Sequence, residues 1–411
     1  MKKVSAVITI LLLGGLILGL SVADFFTQDR LYSEYENRML AQKPEFSTEA
    51  LFSGSFTEDY ENYITDQFTG RDNWIFIKTM TDVALGKKEV KGVYLAKDGT
   101  LIQKHAPEDI DEEEVEKKLA LLKELFNWQE DREDIGSFYV MTIPTADNIL
   151  TEKLPDYAPV YSQADFIRQV KETVGEAHVI DVQETLNAHK EEKIYYGTDH
   201  HWTTLGAYYG YREWAAALGV EPVTYEVETV STNFLGTMHS QARIPVEPDT
   251  IEAYMPQVLH GDAGGADTGT TDGAAGNLVA GNAGMQTEVV NGMQVYYDLS
   301  EESHNTLYEP KYLDTKNQYG YFLDDNHPFI QINTGATAKE AQGKTLFILK
   351  DSYANCFVPF LTEHYETIYV MDLRYFRGKL FPFMEEYATG GNMDILVLYN
   401  VIHFIEEFQY Y

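Results

Sequence analysis

Cysteine is almost missing from this chain, and positive charge is scarce. Cys356 is the one cysteine among 411 residues, so an intramolecular disulfide is excluded. It lies in the apolar run Cys356-Phe357-Val358-Pro359-Phe360-Leu361, with no neighbour to favour its thiolate, and reads as a buried packing residue. Lys and Arg number 31 against 65 Asp and Glu, a formal charge of −34. That balance disfavours direct nucleic-acid binding, which needs clustered cations against phosphate. No internal repeat is present. What remains is a chain with 44% hydrophobic residues, enough to bury the core of one large domain or two modest ones.

The N-terminus carries the topology. Lys2 and Lys3 precede residues 4–23, an uncharged run rich in Leu, Ile and Gly. As a helix it can span a bilayer, and the lysines orient its N-terminus inside. Ser21-Val22-Ala23 also has the small-residue pattern of a secretory cleavage site. Residues 1–23 are therefore read as a transmembrane anchor or signal peptide. The rest is extracytoplasmic, as a single-pass cell-membrane protein or, after cleavage, a secreted one.

Residues 24–45 read as an extended segment, and residues 48–84 show helical spacing at Leu51, Phe56, Tyr60, Tyr63 and Ile64. Val93-Tyr94-Leu95 before Asp98-Gly99 predicts a hairpin. Residues 109–130 predict an acidic amphipathic helix burying Leu119, Leu122, Leu125 and Phe126. Beyond it strands (137–143, 178–182, 345–349, 367–371, 394–399) alternate with helices (166–174, 204–218, 353–362), Gly219 stopping the second of these. That alternation predicts an α/β fold with a doubly wound, mostly parallel sheet. The division expected is 1–23, an N-terminal region 24–134 packing on the rest, and a catalytic domain 135–411. Residues 260–285, rich in Gly, Ala, Asp and Thr, read as a flexible insertion.

Two segments can do chemistry. Gly197-Thr198-Asp199-His200-His201-Trp202 offers a carboxylate and an imidazole; Lys350-Asp351-Ser352-Tyr353-Ala354-Asn355 offers a hydroxyl between a strand and a helix. Asp199 and His201, two apart, point the same way in an extended segment, and His200 oppositely. Ser352 sits at the carboxyl edge of the sheet, where a helix starting near Tyr353 would aim free N–H groups and its positive end at an oxyanion. The plainer alternatives are that Asp351 or Ser352 only caps a helix, and that Asp199–His201 is a satisfied polar loop with Trp202 as core anchor. Asp199 and His200 as metal ligands form a third reading, but His105, His178 and His189 upstream are dispersed and no metal or other cofactor is expected. Asn355, Arg374, Asn326 and Asn400 are weaker substrate or oxyanion candidates.

At these residues the chain resembles the DHHW family of bacterial exported proteins, related to alginate O-acetylation proteins of the AlgJ and AlgX type. The resemblance also takes in Glu36-Asn37-Arg38, Asp66-Gln67-Phe68, Arg71-Asp72 and residues 372–376. It implies an SGNH-hydrolase-like fold in circularly permuted order, because the Asp/His block precedes the serine block. It assigns Ser352 as nucleophile, His201 as base and Asp199 as the carboxylate that orients it. Lys350 departs from the usual Gly of Gly-Asp-Ser. The function implied is an O-acetyltransferase or acetylesterase on a cell-surface polysaccharide, with a polytopic membrane-bound O-acyltransferase as acetyl source. The rival is a non-catalytic polysaccharide-binding or scaffold protein of an export complex.

Overall fold

The computed structural model describes residues 2–33, 38–256, 292–336, 341–388 and 393–411. The expected insertion at 260–285, and Glu36 and Asn37, lie outside the described residues. The chain opens with α1 (Lys2–Phe26), within which Ala6–Phe26 is long and apolar enough to cross a membrane, the one such stretch among the described residues.

The helical region 48–84 is three helices, α2 (Thr48–Ser53), α3 (Ser55–Gln67) and α4 (Arg71–Ala84). The breaks fall at Gly54 and Gly70, whose φ values of 89° and 69° suit a residue without Cβ. Arg38 grips Asp66 of α3 with two hydrogen bonds (2.8 and 2.6 Å), and Asp66 also accepts from the Ala41 backbone N–H (2.8 Å). Those bonds to Arg38, against a smaller effect of burial, hold the Asp66 carboxyl down at about 2. Arg38 and Asp66 thus fasten the segment at 38–41 to α3.

Next come β1 (Glu89–Val90), β2 (Val93–Leu95) and β3 (Leu101–Gln103), an antiparallel set in which the predicted hairpin turns at Asp98-Gly99. Helix α5 (Glu112–Glu130) is capped by Asp111 and buries Leu122, Leu125 and Phe126, with Leu119 packed at the edge. It is followed by β4 (Ile135–Ile143) and α6 (Gln163–Val174). The strand expected at 178–182 contributes only one parallel bridge, Val179 to Val140. Helix α7 (Thr204–Leu218) stops at Gly219 as predicted, and the Thr203 side chain caps its start. Then β5 (Tyr225–Phe234), α8 (Thr237–Ala242) and β6 (Asp249–Pro256) form an unforeseen antiparallel ribbon bridged by a short helix. The rest comprises β7 (Gln294–Tyr297), β8 (Ser303–His304), β9 (Phe329–Asn333), β10 (Thr345–Lys350), β11 (Thr367–Asp372), α9 (Leu380–Tyr387), β12 (Met393–Asn400) and α10 (Val401–Glu407).

Seven strands form one sheet in the order β8-β7-β9-β11-β10-β12-β4. The sheet is mixed. β11, β10, β12 and β4 are parallel, whereas β9, β7 and β8 add antiparallel on one side. Along β10, Leu346 and Ile348 enter the layer beneath α7, while Phe347 and Leu349 enter the layer shared by α5, α6 and α10. Burial on both faces explains its unbroken apolar run. The chain leaves β10 towards β11 on one side and later returns to β12 on the other. The crevice at the end of β10 is therefore a topological switch point, where open α/β sheets hold their ligands.

The helix predicted at 353–362 is instead two 3-10 turns, Ser352–Cys356 and Val358–Leu361. Pro359 has no N–H to continue an α-helical ladder. Buried Trp202 fixes this irregular segment: its indole N–H donates to the Tyr353 carbonyl (2.9 Å) and its ring stacks over Phe357. Trp202→Ala is expected to lower the folding free energy by about 3–5 kcal/mol, measured as a reduced urea midpoint.

Candidate active site

Asp199, His201 and Ser352 come together in one hydrogen-bonded line. Asp199 Oδ1 lies 2.5 Å from His201 Nδ1, and His201 Nε2 lies 2.8 Å from Ser352 Oγ. With Nδ1–H turned to the carboxylate, Nε2 is free to accept the serine proton. All three side chains are buried to within a few per cent, Ser352 being 5% exposed.

The turn bearing Asp199 and His201 is built from outside itself. The antiparallel bridge Tyr195–Trp202 closes it, and Asp249 of β6 accepts from Gly197 N (2.9 Å), Thr198 N (2.7 Å) and Thr198 Oγ1 (2.7 Å). Thr237, the first residue of α8, donates to Asp199 Oδ2 from its N–H (2.7 Å) and its hydroxyl (2.9 Å). A Cβ on Gly236 would stand 2.3 Å from Asp199 Cβ and Oδ2, so this approach requires glycine. Burial opposes the Asp199 charge, but the neighbouring histidines and these donors outweigh it and hold the carboxyl well below its usual range.

His200 does not point away from its neighbours. The segment is a closed turn rather than a strand, so the His200 ring lies against that of His201 (centroids 3.8 Å) and its Nδ1 meets Thr237 Oγ1 at 2.8 Å. Burial, then the charge of His201, keep its pKa depressed. The other face of His201 carries Tyr319, stacked at 3.9 Å, whose hydroxyl donates to the Ser352 carbonyl (3.1 Å). The dyad and Ser352 line a cleft of about 710 Å³ together with Thr237, Lys316, Asn326, Arg374 and His403.

Residues 136–261 match the family model described as DHHW protein. They form a DHHW family domain. A protein of Pseudomonas syringae pv. tomato named probable alginate O-acetylase AlgJ is 26% identical over 248 residues, 54% of this chain and 62% of that protein. The chain thus spans less than two thirds of that relative. A DHHW family protein from Eubacterium siraeum shares the fold at a TM-score of 0.56, with 24% identity over 77% of this chain and 93% of the other. PatB1 of Bacillus cereus does so at 0.57, with 20% identity over 77% and 99%.

The DHHW domain supplies Asp199 and His201, whereas Ser352 follows β10, beyond the matched residues. The sheet edge around it is charged and closed. Buried Lys350 donates to Asn326 Oδ1 (2.9 Å) and Asn355 Oδ1 (2.7 Å) and faces Asp372 at 3.4 Å. Arg374 takes Asp372 through two bonds (2.6 and 2.9 Å) and reaches Asn326 (3.2 Å) and Glu407 (3.5 Å). Asp351 caps the Ser352 turn through Tyr353 N (2.9 Å), and its other oxygen accepts from Asn400 Nδ2 (2.8 Å) and pairs with His403 Nδ1 (2.9 Å). Of the four weaker candidates, Asn326 and Arg374 face the cleft, whereas Asn355 and Asn400 are committed to Lys350 and Asp351. The oxyanion geometry expected from an α-helix N-terminus is absent here, because Ser352 opens a 3-10 turn whose Tyr353 N–H belongs to Asp351.

Cys356 is buried as expected, and burial pushes its thiol up to about 12. The donor atoms of Asp199, His200 and His201 lie within 4.8 Å of one another, the one such group among the described residues. A cation there would need one His201 nitrogen, and both are engaged, Nδ1 by Asp199 and Nε2 by Ser352.

His403, Asp249, Thr237 and Tyr319 escape sequence reasoning. Each is remote in the chain from what it supports, and none sits in a motif. Burial disfavours the His403 cation, but the Asp351 hydrogen bond and the charges of Asp351 and Glu407 prevail over it and over Arg374, raising its pKa above the ordinary 6.5. Its stabilising effect is therefore fully present below pH 6.5 and lost as pH rises through the raised value. The thermal midpoint of the parent should fall as pH rises from 6.5 through that raised value, and His403→Asn should flatten the fall.

Proposed function

We propose that this chain is an extracytoplasmic O-acetyltransferase or acetylesterase acting on a cell-surface polysaccharide through an acetyl-serine intermediate. The observation that carries this reading is the unbroken line Asp199–His201–Ser352 beside an open cleft. The likeness to a probable alginate O-acetylase supports the reaction class. In this reading residues 135–411 are an SGNH-hydrolase-like body in permuted order, region 24–134 packs on it, and the N-terminal helix holds it at the membrane. An acetyl group reaches it from a membrane-bound O-acyltransferase.

Ser352 Oγ attacks the acetyl carbonyl carbon of the donor while His201 Nε2 takes the hydroxyl proton. The leaving group departs with that proton, and the acetyl group stays on Oγ. A sugar hydroxyl, deprotonated by His201, then attacks the acetyl carbon and Ser352 recovers its proton. Water in place of the sugar gives the esterase. Ionised Asp199 stabilises the imidazolium at each step. Arg374 and Asn326 line the cleft with Ser352, while Asn355 holds Lys350 and Asn400 holds Asp351.

The test is hydrolysis of a chromogenic acetyl ester by the purified protein. Ser352→Ala and His201→Ala are expected to lower kcat/KM by roughly 10³-fold or more, and His200→Ala to retain most of it. Equal rates in all variants would remove the serine mechanism and favour the scaffold.

A further inference from the structure

We infer that α2–α4 form a platform lying on the outer surface of a zwitterionic phospholipid bilayer, carrying the catalytic body above it. The inference rests on reading α1 as a retained anchor. Ala6–Phe26 is long and apolar enough to cross a bilayer, with Asp24 in its last turn at the water interface.

The end of this helix is bonded to the α3–α4 corner. Asp24 Oδ1 accepts from Thr69 N and Oγ1 (both 3.1 Å), and Tyr63 donates to Asp29 (3.0 Å). Arg30 N donates to Gln67 (2.9 Å), and the Arg30 guanidinium pairs with Asp72 at 2.7 Å. The corner is thereby held within a few residues of the point where the chain leaves the bilayer.

Along α2–α4 and just past α4 the exposed side chains include the apolar Phe52, Tyr60, Ile64, Trp74, Ile77 and Leu85, each 40–89% exposed. On α4, Trp74 and Ile77 lie on the side opposite buried Thr79 and body-facing Asp72, so they point away from the catalytic body. On α3, Tyr60 and Ile64 are exposed beside half-buried Phe56, which packs on Phe46, and Tyr63, which bonds Asp29, with Glu58, Glu61 and Thr65 on the opposite side. Exposed apolar faces beside an anchor, rich in Trp and Tyr, have the composition of a segment lying in the membrane interface. The acidic back of α3 disfavours an anionic surface, which is why the occupant is a zwitterionic one.

The platform is also wired to the chemistry. Asp72 accepts from Arg30 on the anchor side and from Arg243 (3.2 Å) at the end of α8. The first residue of α8, Thr237, holds Asp199. Seating α4 on lipid therefore sets the position of the cleft relative to the membrane, as suits an enzyme whose acyl group arrives through the bilayer.

The test places the full-length chain in phosphatidylcholine vesicles and compares brominated with ordinary lipid, for the parent and for Trp74→Phe. Trp202 and Trp214 are buried in the body and out of reach of lipid. The expected result is loss of the emission component that Trp74→Phe removes, on brominated lipid only, with little quenching of it by aqueous acrylamide. A chain that floats with the vesicles while acrylamide, and not bromine, quenches Trp74 overturns the platform and leaves the anchor intact; the face then awaits a protein partner. Protection from both quenchers with cross-linked dimers overturns it in favour of a second copy. A chain that does not float overturns the anchor reading and the platform with it.

Discussion

Burial of the Lys350 ammonium at the end of β10 is the constraint to which the rest of this sheet edge answers. A fully buried cation must be paired or lose its charge, and Lys350, with no exposed surface, has its pKa lowered by burial against the pull of Asp372. Asp372 in turn needs Arg374, and Arg374 reaches Glu407 beside His403. His403 pairs with Asp351, whose other oxygen caps the turn that begins at Ser352. Alternating charges thus run from the strand before the serine back to the residue beside it. Each member depends on its neighbours, which makes the loop rigid around Ser352.

A second network approaches Ser352 from the opposite side. Asp249 shapes the 197–202 turn, Thr237 restrains Asp199, and Tyr319 backs His201 while touching the Ser352 carbonyl. Trp202 joins the two networks through the Tyr353 carbonyl. Tyr353 returns the tie, its hydroxyl bonding the His200 carbonyl. The line from Asp199 to Ser352 is therefore clamped at both ends, by segments about 150 residues apart in the chain.

What could be read from the residues follows the range of the forces involved. Helix α7 and the β2–β3 hairpin were legible because a cap, a stop and a turn are local signals. Strands β10 and β12 were legible because burial on both faces leaves an apolar run. Residues 353–362 misled because their hydrophobicity suits a helix while Pro359 and the Asp351 cap enforce tighter turns. β9 escaped although Phe329-Ile330-Gln331-Ile332-Asn333 alternates, its Gln331 and Asn333 facing outward. The antiparallel strands β7 and β8 are too short to give any periodic signal.

The same division holds at the site. Asp199, His201 and Ser352 stood out in the sequence because such residue types, next to an apolar strand or a buried Trp, demand partners that chemistry can name. The sequence by itself determined that a carboxylate, an imidazole and a hydroxyl were available, along with the apolar N-terminal run and the acidic balance. Only the tertiary structure decided that His200 folds back onto His201, that a 3-10 turn rather than an α-helix begins at Ser352, that His403 pairs with Asp351, and that Asn355 and Asn400 brace while Asn326 and Arg374 face the cleft. Those outcomes depend on contacts between strands and loops far apart in the chain, and residue spacing carries no record of them.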